Sequence, residues 1–242
     1  MNAHGIDFAG SALTLLSSGL LWWEAERTLC ASDLHLGKSE RHARRGGSLL
    51  PPYETGDTLQ RLDAAITALG PARVICLGDS FDDAAALGGL AEEERLWLLR
   101  LMAGRDWVWI EGNHDPGPLD VDGRHLAELT LGPLTFRHIA EDGASPGEIS
   151  GHWHPKIAVN ARGSRVARPC FVTDGSRLIM PAFGTYTGGL FADAPPVGRL
   201  MERSRTLAIL TGEPMARLPV FSMPKGKRPG AMRAPPRLRR RA

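Results

Sequence analysis

Seven expected metal ligands, Asp33, His35, Asp79, Asn113, His138, His152 and His154, fall in five short segments: Asp33-Leu34-His35, Gly78-Asp79-Ser80-Phe81-Asp82, Gly112-Asn113-His114-Asp115, His138, and Gly151-His152-Trp153-His154. Asp, Asn and His offer oxygen and nitrogen donors, a set that suits manganese, iron or zinc rather than a thiolate site. Asp33 and His35 stand two residues apart, so on an extended segment both point to one side, and His152 and His154 repeat that spacing. Asp79 follows a glycine that permits a tight turn. Its two carboxylate oxygens can touch two ions at once, which makes it the expected bridging ligand. Asn113 would ligate through its amide oxygen and His138 through an imidazole nitrogen. Two cations held side by side point to hydrolysis of a phosphate ester.

The neighbours of these ligands carry open readings. Asp82 either caps a turn or hydrogen-bonds a ligand histidine from behind. Asp115 either orients His114 or caps its own turn. Lys38, Arg41, Arg44 and Arg45 either grip a substrate backbone phosphate or form a solvated basic loop. Trp153 either lines a substrate groove or packs.

The elements that must carry these residues are legible in outline. Ala12–Leu16 and Leu20–Trp23 flank Ser17-Ser18-Gly19 as a hairpin. Thr28–Ser32, Arg73–Leu77 and Trp107–Ile110 read as buried strands, each running into a motif, with Trp22, Trp23, Trp107 and Trp109 as core residues. Leu59, Leu62, Ile66 and Leu69 give Thr55–Leu69 a helical period, with Thr55 as N-cap and Gly70-Pro71 as the stop. Ala91–Met102 reads as a second helix, its first turn favoured by Glu92, Glu93 and Glu94. Gly37–Pro52 reads as a polar, Gly-rich loop. Strand, helix, strand, helix, strand implies parallel strands with crossover helices, and open α/β sheets bind ligands at strand carboxyl ends. The second half is read as short, mainly antiparallel strands: Leu126–Leu131, Leu134–His138, Glu148–Ser150, Lys156–Val159, Cys170–Thr173, Arg177–Met180 and Thr206–Thr211.

The 242 residues suit one large domain, read as residues 1–221, followed by a basic, Pro/Arg-rich tail over 222–242 that is expected to be disordered. The tail holds eight basic residues and no acidic one, while the remainder has 21 basic against 27 acidic, about −6 in net charge. That acidic body argues against a surface coated with nucleic acid, although the tail could add salt-dependent affinity for it. Cys30, Cys76 and Cys170 lack C-x-x-C spacing and are expected to be buried and reduced, as in a cytoplasmic protein. No apolar stretch is long enough to span a bilayer, and no secretory leader pattern opens the chain.

The five motifs, in this order, resemble those of the calcineurin-like metallophosphoesterases. The resemblance covers about residues 28–158 and implies an α/β fold, a four-layer α/β/β/α sandwich with mixed sheets. It assigns Asp33, His35, Asp79 and His154 to one divalent metal, and Asp79, Asn113, His138 and His152 to the other. It makes His114 the acid that contacts phosphate and protonates the leaving oxygen. Asp33 to Lys38, Arg44 to Tyr53 and Pro181 to Leu190 are further similar to the bacterial DNA-ligase-associated metallophosphoesterases. That narrower resemblance implies a manganese-dependent phosphodiesterase or DNA endonuclease of DNA repair, with zinc or iron as possible metals. It also implies partnership with DNA and with a ligase-associated repair helicase and exonuclease. The same metal site would serve a phosphatase or pyrophosphatase acting on a small nucleotide or metabolite.

Overall fold

The computed structural model describes residues 2–47, 50–161 and 163–221; the basic tail, 222–242, lies outside them. The first sheet takes β1 (Ala3–Phe8), β2 (Ser11–Leu16), β3 (Leu21–Trp23), β4 (Thr28–Ala31), β5 (Arg73–Leu77), β6 (Asp106–Ile110) and β7 (Arg124–Leu126) in that spatial order. β1 to β4 form an antiparallel meander, and β4 to β7 run parallel. The helices α1 (Lys38–Arg44), α2 (Glu54–Leu69), α3 (Ala86–Gly89) and α4 (Glu92–Met102) occupy the crossovers. The second sheet uses β8 (Glu128–Leu131), β9 (Leu134–Arg137), β10 (Glu148–Ser150), β12 (Ser164–Thr173), β13 (Arg177–Ile179), β14 (Leu207–Leu210) and β15 (Arg217–Pro219), with β11 (Lys156–Ala161) hairpinned onto β12. The short α5 (Pro195–Leu200) precedes β14.

Side-chain alternation explains the layers. On β4, β5 and β6, Leu29, Ala31, Val74, Cys76, Trp107 and Trp109 face α2 and α4, where Leu59, Leu62, Ile66, Leu98 and Leu101 meet them. The intervening Cys30, Ile75, Leu77, Val108 and Ile110 face the second sheet and pack on Phe136, Ile149, Phe171, Leu178 and Ile209. A strand buried on both faces must read as a continuous apolar run, and these do. The far face of the second sheet, with Cys170, Val172, Ile179 and Leu210, is covered by Val197 of α5 and by Met201. The order is α/β/β/α, with the outer layer on the α5 side reduced, among the described residues, to one short helix. All three cysteines are buried and free, as expected. Among the described residues no helix is long and apolar enough to cross a membrane.

Several elements differ from the sequence reading. α2 starts one residue early, after Tyr53, and Thr55 does not cap it; its hydroxyl accepts the Gly37 N–H instead, at 2.9 Å. Gly37–Pro52 contains the helix α1. The stretch read as one strand, Leu126–Leu131, breaks at Ala127 so that β7 closes the first sheet and β8 opens the second. The mainly antiparallel second sheet holds an exception at β10, which runs parallel to both β9 and β13. That exception brings two strand ends to the same edge.

Candidate metal centre

Five chain segments meet where the two sheets end together. From the first sheet, the carboxyl ends of β4, β5 and β6 deliver Asp33 and His35, then Asp79, then Asn113 to Asp115. From the second, β9 delivers His138, and the parallel β10 beside it delivers His152 and His154. The loops are laced to one another by backbone hydrogen bonds: His35 N–H to Asp79 O (2.9 Å), Asp82 N–H to Leu36 O (3.0 Å) and Gly151 N–H to His138 O (2.9 Å). Among the described residues eight non-glycine positions have positive φ, and five of them are Asp33, His35, Asp79, His152 and His154, at 43–68°. Non-glycine residues avoid that region, and such strain gathers where a site dictates side-chain direction.

The seven expected ligands come together in two groups. In the first, Asp33, His35 and His154 offer ligand atoms within 4.8 Å of one another. His154 Nε2 is 3.0 Å from Asp33 Oδ1, yet off the axis of a hydrogen bond. In the second, Asp79, His138 and His152 satisfy the same criterion. His138 Nδ1 donates to Leu77 O at 3.1 Å, which turns its Nε2 toward the group. That nitrogen faces Asn113 Oδ1 at 3.0 Å, Asp79 Oδ2 at 3.3 Å and His152 Nδ1 at 3.3 Å. Two oxygens and two ring nitrogens pointed at one spot need a proton or a cation between them. Asp79 Oδ2 also stands 4.0 Å from His35 Nε2, so this carboxylate lies between the groups.

The residues around the two groups pair with one another and with backbone. Asp82 is fully buried with Oδ1 2.9 Å from His35 Nδ1, off the axis of a hydrogen bond, which places its carboxylate behind a candidate ligand. Its backbone carbonyl receives His114 Nδ1 at 2.9 Å, which turns Nε2 of that half-buried ring away from the loop. Asp115 spends its carboxylate on backbone, accepting the Ser80, Phe81 and Gly112 N–H groups at 2.7, 3.0 and 3.1 Å. Asp115 thus clasps the β5 and β6 loops together, and none of its hydrogen bonds among the described residues reaches His114. Lys38, Arg41, Arg44 and Arg45 sit on or just after α1, and all four meet acids. Arg41 Nη1 is 2.6 Å from Asp82 Oδ2, Lys38 Nζ is 3.5 Å from Asp82 Oδ1, and Arg44 and Arg45 lie 2.9 and 3.2 Å from Asp83. The solvated basic loop is therefore an ion-paired helix. Ser32 was not singled out from the sequence, although its hydroxyl donates to Asp33 Oδ2 at 2.5 Å; a serine before the first motif carries no signal of its own.

The calcineurin-like phosphoesterase profile matches residues 26–163, a span that contains all seven candidate ligands. This chain belongs to the calcineurin-like phosphoesterases. Among solved structures, the Pseudomonas putida nuclease MPE is similar with a TM-score of 0.69 and 30% identity, over 90% of this chain and 100% of that one. No curated protein matches the sequence. The chain is a metal-dependent phosphoesterase, a hydrolase of a family that works with a dimetal centre.

The electrostatics of this phosphoesterase fit such a centre. Burial works to raise the Asp79 carboxyl, but His138, the His114 N–H and His35 outweigh it and bring it down to about 2. Burial likewise opposes Asp33, and His154, His138 and Ser32 pull it below the usual carboxylate range. Both are therefore anionic at neutral pH, as metal ligation would require. Burial alone would lower His138, yet Asp79 and Asp33 raise it: the same negative surroundings that attract a proton there attract a cation. His152 is lowered, by burial and then by His138. Among the described residues buried His35 Nε2 and His154 Nε2 have no hydrogen-bond partner in good geometry, an arrangement that costs free energy and that a bound cation would relieve.

Gly151 leaves room for this packing. A Cβ there would stand 2.0 Å from Ser32 Oγ and 2.5 Å from Asp33 Oδ2. It would also disturb the His152 N–H, which donates to Asp33 Oδ2 at 3.1 Å. Gly151→Ala is expected to lower folding stability by about 1–3 kcal/mol, the scale of overpacking, in thermal unfolding, and to weaken metal retention. An unchanged melting temperature with full metal content would show that the loop yields freely.

Proposed function

We propose that the chain is a dimetal phosphodiesterase that cuts nucleic acid strands, with manganese as the favoured metal. Asp33, His35, Asp79 and His154 would hold one ion, and Asp79, Asn113, His138 and His152 the other. The observation that carries the reading is the pair of donor groups with Asp79 between them and His114 beside them. A divalent pair supplies Lewis acidity at the phosphoryl oxygens and activates water as the nucleophile. The chain's own residues do the rest. Asp79 Oδ1 accepts the His114 N–H at 2.8 Å, which fixes the acid's backbone to the bridging carboxylate. Asp82 O holds Nδ1, so when both ring nitrogens carry protons Nε2 is the atom that delivers one to the departing oxygen, a general-acid role. Asp115 acts as a positioning residue, through the loops it clasps.

The nuclease named in the similar solved structure supports a nucleic acid substrate. The motif resemblance supports the finer reading, DNA repair in the cytoplasm beside a ligase-associated helicase and exonuclease. One observation favours the alternative, a small-molecule phosphatase or pyrophosphatase. Lys38, Arg41, Arg44 and Arg45, the expected phosphate grips, already stand against Asp82 and Asp83, and would have to exchange partners to serve a strand.

Substrate turnover separates the two. After chelation, activity is expected to vanish, and manganese is expected to restore it better than zinc or magnesium. The restored enzyme is expected to hydrolyse bis-para-nitrophenyl phosphate and a single-stranded oligonucleotide in preference to para-nitrophenyl phosphate. Monoester turnover without diester turnover would move the assignment to the phosphatase.

A further inference from the structure

We propose that Tyr53 and Tyr186 form a shelf that takes one unpaired nucleobase next to the phosphodiester being cut. The proposal rests on the nucleic acid reading above and assigns it a specificity element that the metal centre lacks. Tyr53 is 57% exposed, the largest exposure of any large hydrophobic side chain among the described residues. Its ring meets that of Tyr186 with centroids 5.6 Å apart and planes at 56°, so the two rings stand as an open corner rather than a closed stack.

Both residues belong to segments that touch the metal centre. Tyr186 lies in the loop after β13, where the Gly184 N–H donates to Asp33 O at 3.1 Å. Further along that loop, Gly189 packs so closely on His154 O that a Cβ would stand 1.9 Å away. Tyr53 heads α2, whose Thr55 hydroxyl holds the Gly37 N–H, two residues past His35. Tyr186 also has φ 63°, among the described residues the one remaining non-glycine position of positive φ in this region that is not itself a candidate ligand. The ring direction is thus imposed against local backbone preference, as it is for the ligands.

The corner is braced before any substrate arrives. Arg61 of α2 donates to Phe183 O at 2.8 Å and to Thr185 Oγ1 at 2.9 Å, and its guanidinium lies 4.4 Å from the centre of the Phe183 ring. Thr185 Oγ1 donates to Asp57 Oδ2 at 2.5 Å, and the Thr185 N–H donates to Thr58 Oγ1 at 3.2 Å. These bonds lock the Tyr186 loop to the helix that carries Tyr53. A rigid aromatic face beside a phosphodiester site suits a base because every base has a π-face, and stacking on it needs no hydrogen-bond code. Stacking also requires the base to be out of a duplex. With the α1 cations committed to Asp82 and Asp83, stacking offers a grip on the strand that does not depend on freeing them.

The test compares Tyr53→Ala and Tyr53→Phe with the unmodified enzyme on a single-stranded oligonucleotide, on the same oligonucleotide with abasic spacers, and on bis-para-nitrophenyl phosphate. On the intact oligonucleotide, Tyr53→Ala is expected to raise KM about tenfold, within the range of a lost base stack, with kcat little changed. Tyr53→Phe keeps the ring face and is expected to keep KM. On the abasic strand the unmodified enzyme is expected to lose the same factor, and Tyr53→Ala to cost nothing more. Equilibrium binding of the labelled strands in chelator should follow the same order. Equal KM for both Tyr53 variants on the intact strand, or the same loss on intact and abasic strands, would overturn the shelf while leaving the nuclease reading in place. Turnover of bis-para-nitrophenyl phosphate with none of any oligonucleotide by the unmodified enzyme would overturn both.

Discussion

Asp79→Asn is expected to reduce turnover at least ~10³-fold, a loss of ~4 kcal/mol of transition-state stabilisation, and to bring bound metal below one ion per chain. Asp79 is 2% exposed and lies between the two donor groups, with Oδ2 3.3 Å from His138 Nε2 and 4.0 Å from His35 Nε2. An asparagine keeps the shape but loses the negative charge and one of the two acceptor atoms. Without that charge the two ions would repel across the gap with little between them. His154→Ala, by contrast, touches only the Asp33 group and is expected to cost one ion while the other stays. Elemental analysis of dialysed protein reads both outcomes. Thermal unfolding in chelator separates loss of metal from loss of fold, since the apo forms are compared there on equal terms. Retention of two ions and full activity by Asp79→Asn would remove the bridging role, and with it the account of why these loops converge.

The legibility of this site in the sequence has a physical cause. Ligands at strand ends leave a double signature: an apolar run, because β4, β5 and β6 are buried on both faces, followed at once by a donor, because the chain must turn there. Both halves of the signature are local, so the convergence of Asp33, Asp79 and Asn113, as candidate ligands, could be anticipated from the chain alone. What stayed hidden is set by partners distant in sequence. α1 has no buried residue and no apolar stripe. It is held by the Ser39 N–H bond to Glu54 Oε1 and by the Arg41 and Arg44 ion pairs, none of which has a periodic trace. β1 offers only a weak alternation across a glycine, and its place comes from pairing with β2. β12 begins six residues before the apolar run that announced it, because Ser164 to Pro169 are held by β11 rather than by the core. Asp115 followed the same rule. Its carboxylate serves three backbone N–H groups, two of them more than 30 residues away, and nothing near it in sequence separates that from a local cap.

His114→Ala is expected to leave metal content intact and to reduce kcat on an oligonucleotide by about 10²–10⁴, the usual range for a general acid. The loss on bis-para-nitrophenyl phosphate should be much smaller. A sugar alkoxide is a poor leaving group and needs its proton in the transition state, whereas para-nitrophenolate departs without one. The geometry supplies the reason to expect a proton donor rather than a ligand. His114 Nδ1 is committed to Asp82 O at 2.9 Å, and the ring stands edge-on to His35 with centroids 5.1 Å apart, beside the donor groups rather than among their closest contacts. Its backbone N–H bond to Asp79 survives substitution by alanine, so the bridging carboxylate stays oriented. The ratio of the two losses is therefore the informative quantity. A large ratio with both ions retained identifies proton transfer to the leaving oxygen. Equal losses on both substrates would instead make His114 a group that binds phosphate without transferring a proton. Loss of an ion would place it in the coordination sphere, where Asp82, His35 and His114 also lie within 4.8 Å of one another.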